Sequence, residues 1–149
     1  MNHFEIKRCR EAFFTWPRCL SKFKDLVGNG KPWDFKRIKN LFQKGRCPSN
    51  CPRTVTLCAQ CVNYDVPGNI HYGWVGRAAT IRRWVLLFAA DLNQKGGVDD
   101  PKDQNAIKIG IDMWDGPIKR PDLCVEVLKR IKDLNQQGND GCLPCPLQL

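Results

Sequence analysis

The stretch Tyr64-Asp65-Val66-Pro67-Gly68-Asn69-Ile70-His71-Tyr72-Gly73-Trp74-Val75-Gly76-Arg77-Ala78-Ala79 decides how this chain is read. It gathers three glycines, one histidine, one aspartate and three aromatics in sixteen residues. The most apolar segment of the chain, Trp84-Val85-Leu86-Leu87-Phe88-Ala89-Ala90, follows shortly after. From Val75 onward, Val75, Ala78, Ala79, Arg82, Val85, Leu86 and Ala89 recur at intervals of three and four, the spacing of one helical face. The pattern predicts a long helix from about Gly73 to Asn93, with the polar residues of the stretch held at its mouth.

The same periodicity extends to both sides. Residues 5–27 alternate basic and apolar residues at helical spacing, with Phe13, Phe14, Leu20, Phe23, Leu26 and Val27 as the buried stripe. Pro17 divides this segment, because proline removes a ladder donor and clashes with the preceding turn. Gly28-Asn29-Gly30 ends the second helix, and a turn over 31–36 leads into a short helix, Arg37 to Phe42. Residues 45–63 read as loop, and Thr54-Val55-Thr56-Leu57 is the one strand candidate.

On the C-terminal side, Gly96-Gly97 stops the long helix. Asp99-Asp100-Pro101 starts the next, with an aspartate cap and proline at the first position. That helix runs to Trp114, burying Ile107, Ile111 and Trp114, and Asp115-Gly116-Pro117 breaks it. A last helix opens at Pro121 or Asp122 and ends at Gly138, with Leu123, Val127, Leu128, Ile131 and Leu134 as its stripe. The predicted fold is mainly α: a single compact helical domain over 1–149 with a cysteine-rich loop insert at 46–61 and a C-terminal helix and tail at 121–149.

A chain of 149 residues is long enough for a real core. No apolar run approaches the ~20 residues of a membrane-spanning helix. The net charge of +9 is unevenly placed. Residues 1–62 hold 13 Lys/Arg against 4 Asp/Glu, and residues 63–149 hold 11 of each. A basic first half attracts polyanions, RNA or an anionic cell-wall glycan among them; as a solvated face it would serve solubility alone. The N-terminus has no apolar h-region, so either no signal peptide exports the chain or this is a mature or excised segment.

Nine cysteines point to cross-linking chemistry. Two readings stand side by side. One is a disulfide framework, which implies an oxidising compartment and a secreted protein. The other is a structural zinc knot on Cys47, Cys51, Cys58 and Cys61. The odd count leaves at least one thiol free or bridged to another molecule.

Three separated pieces carry a family resemblance. They are Gly30-Lys31-Pro32-Trp33-Asp34-Phe35-Lys36, then Gly68-Asn69-Ile70-His71-Tyr72-Gly73-Trp74-Val75-Gly76-Arg77-Ala78, then Asp99-Asp100-Pro101-Lys102-Asp103-Gln104 with Ile107 and Gly110-Ile111. In this order, over about residues 20–115, the chain resembles the polymorphic toxin type 44 family, the bacterial toxin 44 domain. It departs from that pattern in reading Asn29-Gly30-Lys31 for a Gly-Gly pair and in carrying Phe35 for a tyrosine. The cysteine-rich insert and the Cys142-x2-Cys145 tail lie outside the pattern too. The resemblance implies an effector acting on a competitor cell, with a cognate immunity protein as a partner. It is compatible with a nuclease and with a cell-wall hydrolase.

Five residues are candidates for proton transfer. His71 leads, since histidine alone titrates near neutral pH without perturbation; otherwise it is a hydrogen-bonded structural residue. Asp65 lies six residues before it, where a turn through Pro67-Gly68 would bring the carboxylate onto the imidazole; otherwise it caps the turn. Asp100 and Asp103, with Asp99, exceed what one helix start needs for capping, so one is available as a general base. Asp34 is the remaining candidate, or else the cap of a short helix. Substrate contacts are expected from Lys36 and Arg77, which could hold an anion, and from Trp33, Tyr72 and Trp74, which could stack on bases or sugar rings. Gly73 and Gly76, read at a helix N-terminus, would favour an anion there or allow close packing. No cofactor and no catalytic metal is expected.

Two enzymes fit these residues. The first reading is a ribonuclease, which would bind RNA through the basic half and use His71 with an aspartate. A cell-wall glycan hydrolase would use two of the aspartates, because glycoside hydrolysis needs a pair of carboxyl groups. A basic cysteine-rich binding protein without activity is the third reading.

Overall fold

The computed structural model describes residues 16–28, 30–34, 54–93, 101–117 and 121–134. Helix α1 spans Trp16–Val27. Pro17 sits in its first turn, where a missing N–H costs nothing. The Gly28 N–H bonds back to the Lys24 carbonyl at 3.0 Å, and the chain turns through Gly30, whose φ is 75°. The Asp34 carboxylate accepts the Gly30 N–H at 2.8 Å and ties the turn shut.

A two-stranded antiparallel hairpin follows, β1 Thr54–Leu57 and β2 Gln60–Asn63, with Thr54 opposite Asn63 and Leu57 opposite Gln60. The first strand is the expected one. The second lies where the sequence reads as loop. Its turn is Cys58-Ala59, both at positive φ (54° and 57°). A two-residue hairpin turn of this twist normally takes Asn-Gly, so nothing in Cys-Ala signals it. Cys58 is disulfide-bonded to Cys124, which fastens the turn to the C-terminal helices. Cys19 and Cys61 are disulfide-bonded as well. The zinc reading therefore loses Cys58 and Cys61, and the disulfide framework stands.

Helix α2 spans Val66–Ala78 and helix α3 spans Arg83–Asn93. The expected single helix from Gly73 to Asn93 is thus two helices, and the first begins seven residues earlier than Gly73. The break has a definite geometry. Ile81 N–H bonds to the Gly76 carbonyl and Thr80 N–H to the Arg77 carbonyl, with Thr80 at φ 64°. This is a Schellman ending, which usually places glycine at the left-handed position. Threonine there hides the stop from a sequence reading.

Helix α4 spans Pro101–Asp115 as predicted to within a residue, and the Gly116 N–H closes it on the Asp112 carbonyl. The last helical segment is divided into α5 Leu123–Lys129 and α6 Ile131–Leu134. Asp122 caps α5, its Oδ1 accepting the N–H groups of Cys124 and Val125. Val127 and Leu134 are buried as expected, whereas Leu123 and Leu128 are exposed. No described helix is long and apolar enough to cross a membrane. The expected helix Arg37 to Phe42, the segment 5–15 and the tail beyond Leu134 lie outside the described residues.

The centre of the fold is the pair α2 and α4. They lie side by side in the same direction, with Arg77 and Asp115 joined at their C-terminal ends. Contact is at backbone distance. A Cβ on Gly73 would meet the Ile107 carbonyl oxygen at 2.2 Å, and one on Gly110 would meet that of Ile70 at 1.9 Å. Gly73 and Gly76 are therefore mid-helix packing positions, not an anion site at a helix start. Two apolar clusters flank the pair. One joins the hairpin and the C-terminal helices through Val55, Val62, Ile70, Ile109, Met113 and Val127. The other joins α1 and α3 through Phe23, Ile81, Leu86, Ile107 and Ile111.

Candidate functional site

Three faces of α2 meet three different environments, as a helix turning about 100° per residue allows. Val66, Ile70, Gly73 and Arg77 face α4. Asp65, Gly68, Asn69 and Tyr72 recur at three and four on a second face. Pro67, Ile70, His71 and Trp74 form a third. The second and third faces border separate hollows.

The larger hollow is a cleft of about 1060 Å³ bounded by α1, the 28–34 turn, α2, α3 and the first half of α4. Asp34, Asp65 and Asp103 all line it, together with Asn69, Lys24 and Lys31. Trp33 and Tyr72 supply aromatic wall. Three of the expected aspartates, drawn from three separated parts of the sequence, thus share one cleft. Asp34 and Asp103 are buried at its edge, 7% and 5% exposed. Asp65 occupies the cap position of α2, yet its side chain makes no capping hydrogen bond. Its Oδ1 is buried with no hydrogen-bond partner among the described residues, and so is Nδ2 of Asn69 one turn further on. Leaving such groups unmatched costs about 1–3 kcal/mol each. Asn69 was not singled out in the sequence; its spacing of four from Asp65 and three from Tyr72 was the available signal.

The smaller hollow, about 290 Å³, is apolar and lined by Leu57, Pro67, Ile70, His71, Trp74, Met113 and Leu123. His71 borders this one, not the cleft. Burial lowers its pKa from 6.5 to about 4, because the charged imidazolium loses its hydration. At pH 7 about one molecule in a thousand carries that proton. The ring nonetheless touches the cleft indirectly: Trp33, in the cleft wall, meets His71 edge-on at 5.5 Å between centroids. Trp74 packs edge-on against Trp114 at 5.3 Å on the apolar side.

The remaining expected residues have defined places. Arg77 holds both oxygens of Asp115 with Nε, at 2.9 and 3.1 Å, and gives Nη1 to the Ile81 carbonyl. Its guanidinium thereby ties the ends of α2 and α4 to the Schellman turn. Tyr72 donates its hydroxyl to the Leu86 carbonyl at 3.1 Å, and its ring lies 5.4 Å from that of Phe23. Asp100 and Lys36 lie outside the described residues. Among the described residues no three His, Cys, Asp or Glu side chains converge to hold a metal ion.

The family model of bacterial toxin 44 matches residues 22–116. The chain belongs to this toxin family. The matched span agrees with the three sequence pieces and contains every residue that lines the cleft except Leu20. It also contains Asp34, Asp65, Asn69, His71 and Asp103. The hairpin lies inside the toxin domain, while α5 and α6 follow it and are fastened to it by the Cys58–Cys124 bridge. No curated protein and no solved structure gives a match.

Proposed function

We propose that this toxin domain is a glycan hydrolase directed at peptidoglycan, with Asp34 and Asp103 as the acid–base pair and Asp65 placing the substrate between them. The observation that carries the reading is the shared cleft: Asp34, Asp65 and Asp103 line it together. Cleavage of a glycosidic bond needs one carboxylic acid to protonate the leaving oxygen. A second carboxylate then attacks the sugar or activates water. Trp33 offers an apolar plane for a sugar ring. The basic first half suits an anionic wall.

The ribonuclease reading depends on His71. A neutral imidazole bordering an apolar hollow is poorly placed to protonate a leaving group in the cleft. The cleft lining holds four aspartates, with Asp25, against two lysines, which disfavours a phosphate backbone. The glycan reading therefore ranks first.

The test is reducing-sugar release from insoluble peptidoglycan by the wild type, Asp34→Asn and Asp103→Asn. Each substitution keeps the shape and removes the titrating group. Loss of a general acid or base typically lowers turnover by about 10²–10⁴-fold, and that is the expected result for each. Wild-type release that persists in both variants would overturn the assignment.

A further inference from the structure

We infer that Asp65 and Asn69 form a subsite for a secondary amide, so that the cleft selects sugars carrying an acetamido group. The inference rests on the glycan reading for the class of polymer and adds the group that is recognised.

The two side chains stand one turn apart on the cleft face of α2. Each holds a buried polar atom with no hydrogen-bond partner among the described residues, Oδ1 of Asp65 and Nδ2 of Asn69. Asn69 is 7% exposed and neither atom is open to the empty cleft, so a ligand meets the pair by turning the two side chains outward. The two atoms are complementary in kind: an ionised carboxylate only accepts, and an amide nitrogen only donates. Native proteins rarely leave both unmatched side by side. A ligand group that donates at one end and accepts at the other satisfies both at once. Residues four apart on a helix have Cβ atoms roughly 5–6 Å apart, a spacing that one amide group can span. Its N–H then points to Asp65 and its C=O to Asn69. The same helix face continues into Tyr72, whose ring offers apolar surface for the acetyl methyl. A sugar hydroxyl at the same carbon would fill less of the space and leave the methyl contact unmade.

The test separates recognition from turnover. Binding of the β-1,4-linked tetramer of N-acetylglucosamine is compared with that of the β-1,4-linked tetramer of glucose, which is also neutral and has a hydroxyl in place of the acetamido group. Calorimetry is run on the wild type, Asn69→Ala and Asn69→Asp. The aspartate variant keeps the shape and loses the donor, and thermal melts verify that both variants are folded. The expected result is a wild-type preference for the acetylated tetramer of tenfold or more, collapsing towards unity in both variants. Equal binding of the two tetramers by the wild type would overturn the inference, as would a preference that both variants retain. Acetyl-selective binding without peptidoglycan cleavage would uphold this subsite while removing the hydrolase reading. Cleavage without acetyl selectivity would do the reverse.

Discussion

Gly110 lies so close to Ile70 that a Cβ on the glycine would sit 1.9 Å from the Ile70 carbonyl oxygen. This contact sets the spacing of α2 and α4, which carry the cleft residues Asn69 and Asp103. Gly110→Ala must push the two helices apart. Forced overpacking of this kind costs about 3 kcal/mol or more. At this chain length that is a fall in Tm on the order of 10 °C. A thermal melt checks it, and an unchanged Tm would show that the helices do not pack as described.

Arg77 acts at the other end of the same pair. Its bidentate contact to Asp115 and its bond to the Ile81 carbonyl are partly exposed, so Arg77→Ala should cost about 1 kcal/mol. Activity should fall only as far as the folded fraction falls. A large loss of kcat/KM at full folding would instead restore Arg77 as a substrate contact.

The depressed pKa of His71 gives stability a pH dependence with a definite sign. The unfolded imidazole titrates near 6.5 and the folded one near 4. Between these values the unfolded state binds more protons, so stability increases with pH across the window and is lost as pH falls from 6.5 towards 4. Chemical denaturation at pH 7, 5.5 and 4.5 measures this. His71→Gln, which cannot charge, should flatten the His-dependent part of the slope. A variant with the wild-type slope would show that other groups set it.

The Cys58–Cys124 bridge closes a loop with a sequence separation of 66. In the chain-entropy account, removing a bridge of that span costs about 4 kcal/mol. The double variant Cys58→Ser, Cys124→Ser should lower the denaturation midpoint accordingly. A midpoint within error of the wild type would show that the hairpin does not need its fastening.

Much of this fold is written in local signals. Pro101 and Gly116-Pro117 bracket α4 because prolines and glycines act within a few residues. Gly28 ends α1 for the same reason. The misreadings fall where the stop or turn lacks its usual residue: Thr80 in a left-handed position, and Cys58-Ala59 in a hairpin turn held by a disulfide. The candidate residues were legible by type, but their geometry was not. Asp34, Asp65 and Asp103 stand out by type, and only helix packing puts them in one cleft. His71 stands out for the same reason, yet α2 begins early enough to turn it onto an apolar face. Asn69 was hidden because an asparagine carries no charge or proton chemistry. Its unmatched amide is revealed only by packing.

The most direct test of the central claim sets two substrates against two residues. Purified wild type, Asp103→Asn and His71→Gln are incubated with bacterial peptidoglycan and with total RNA, and products are read by mass spectrometry and by gel. The account predicts muropeptides from the wild type and from His71→Gln, none from Asp103→Asn, and intact RNA throughout. RNA cleavage that disappears in His71→Gln, with peptidoglycan untouched, would contradict it.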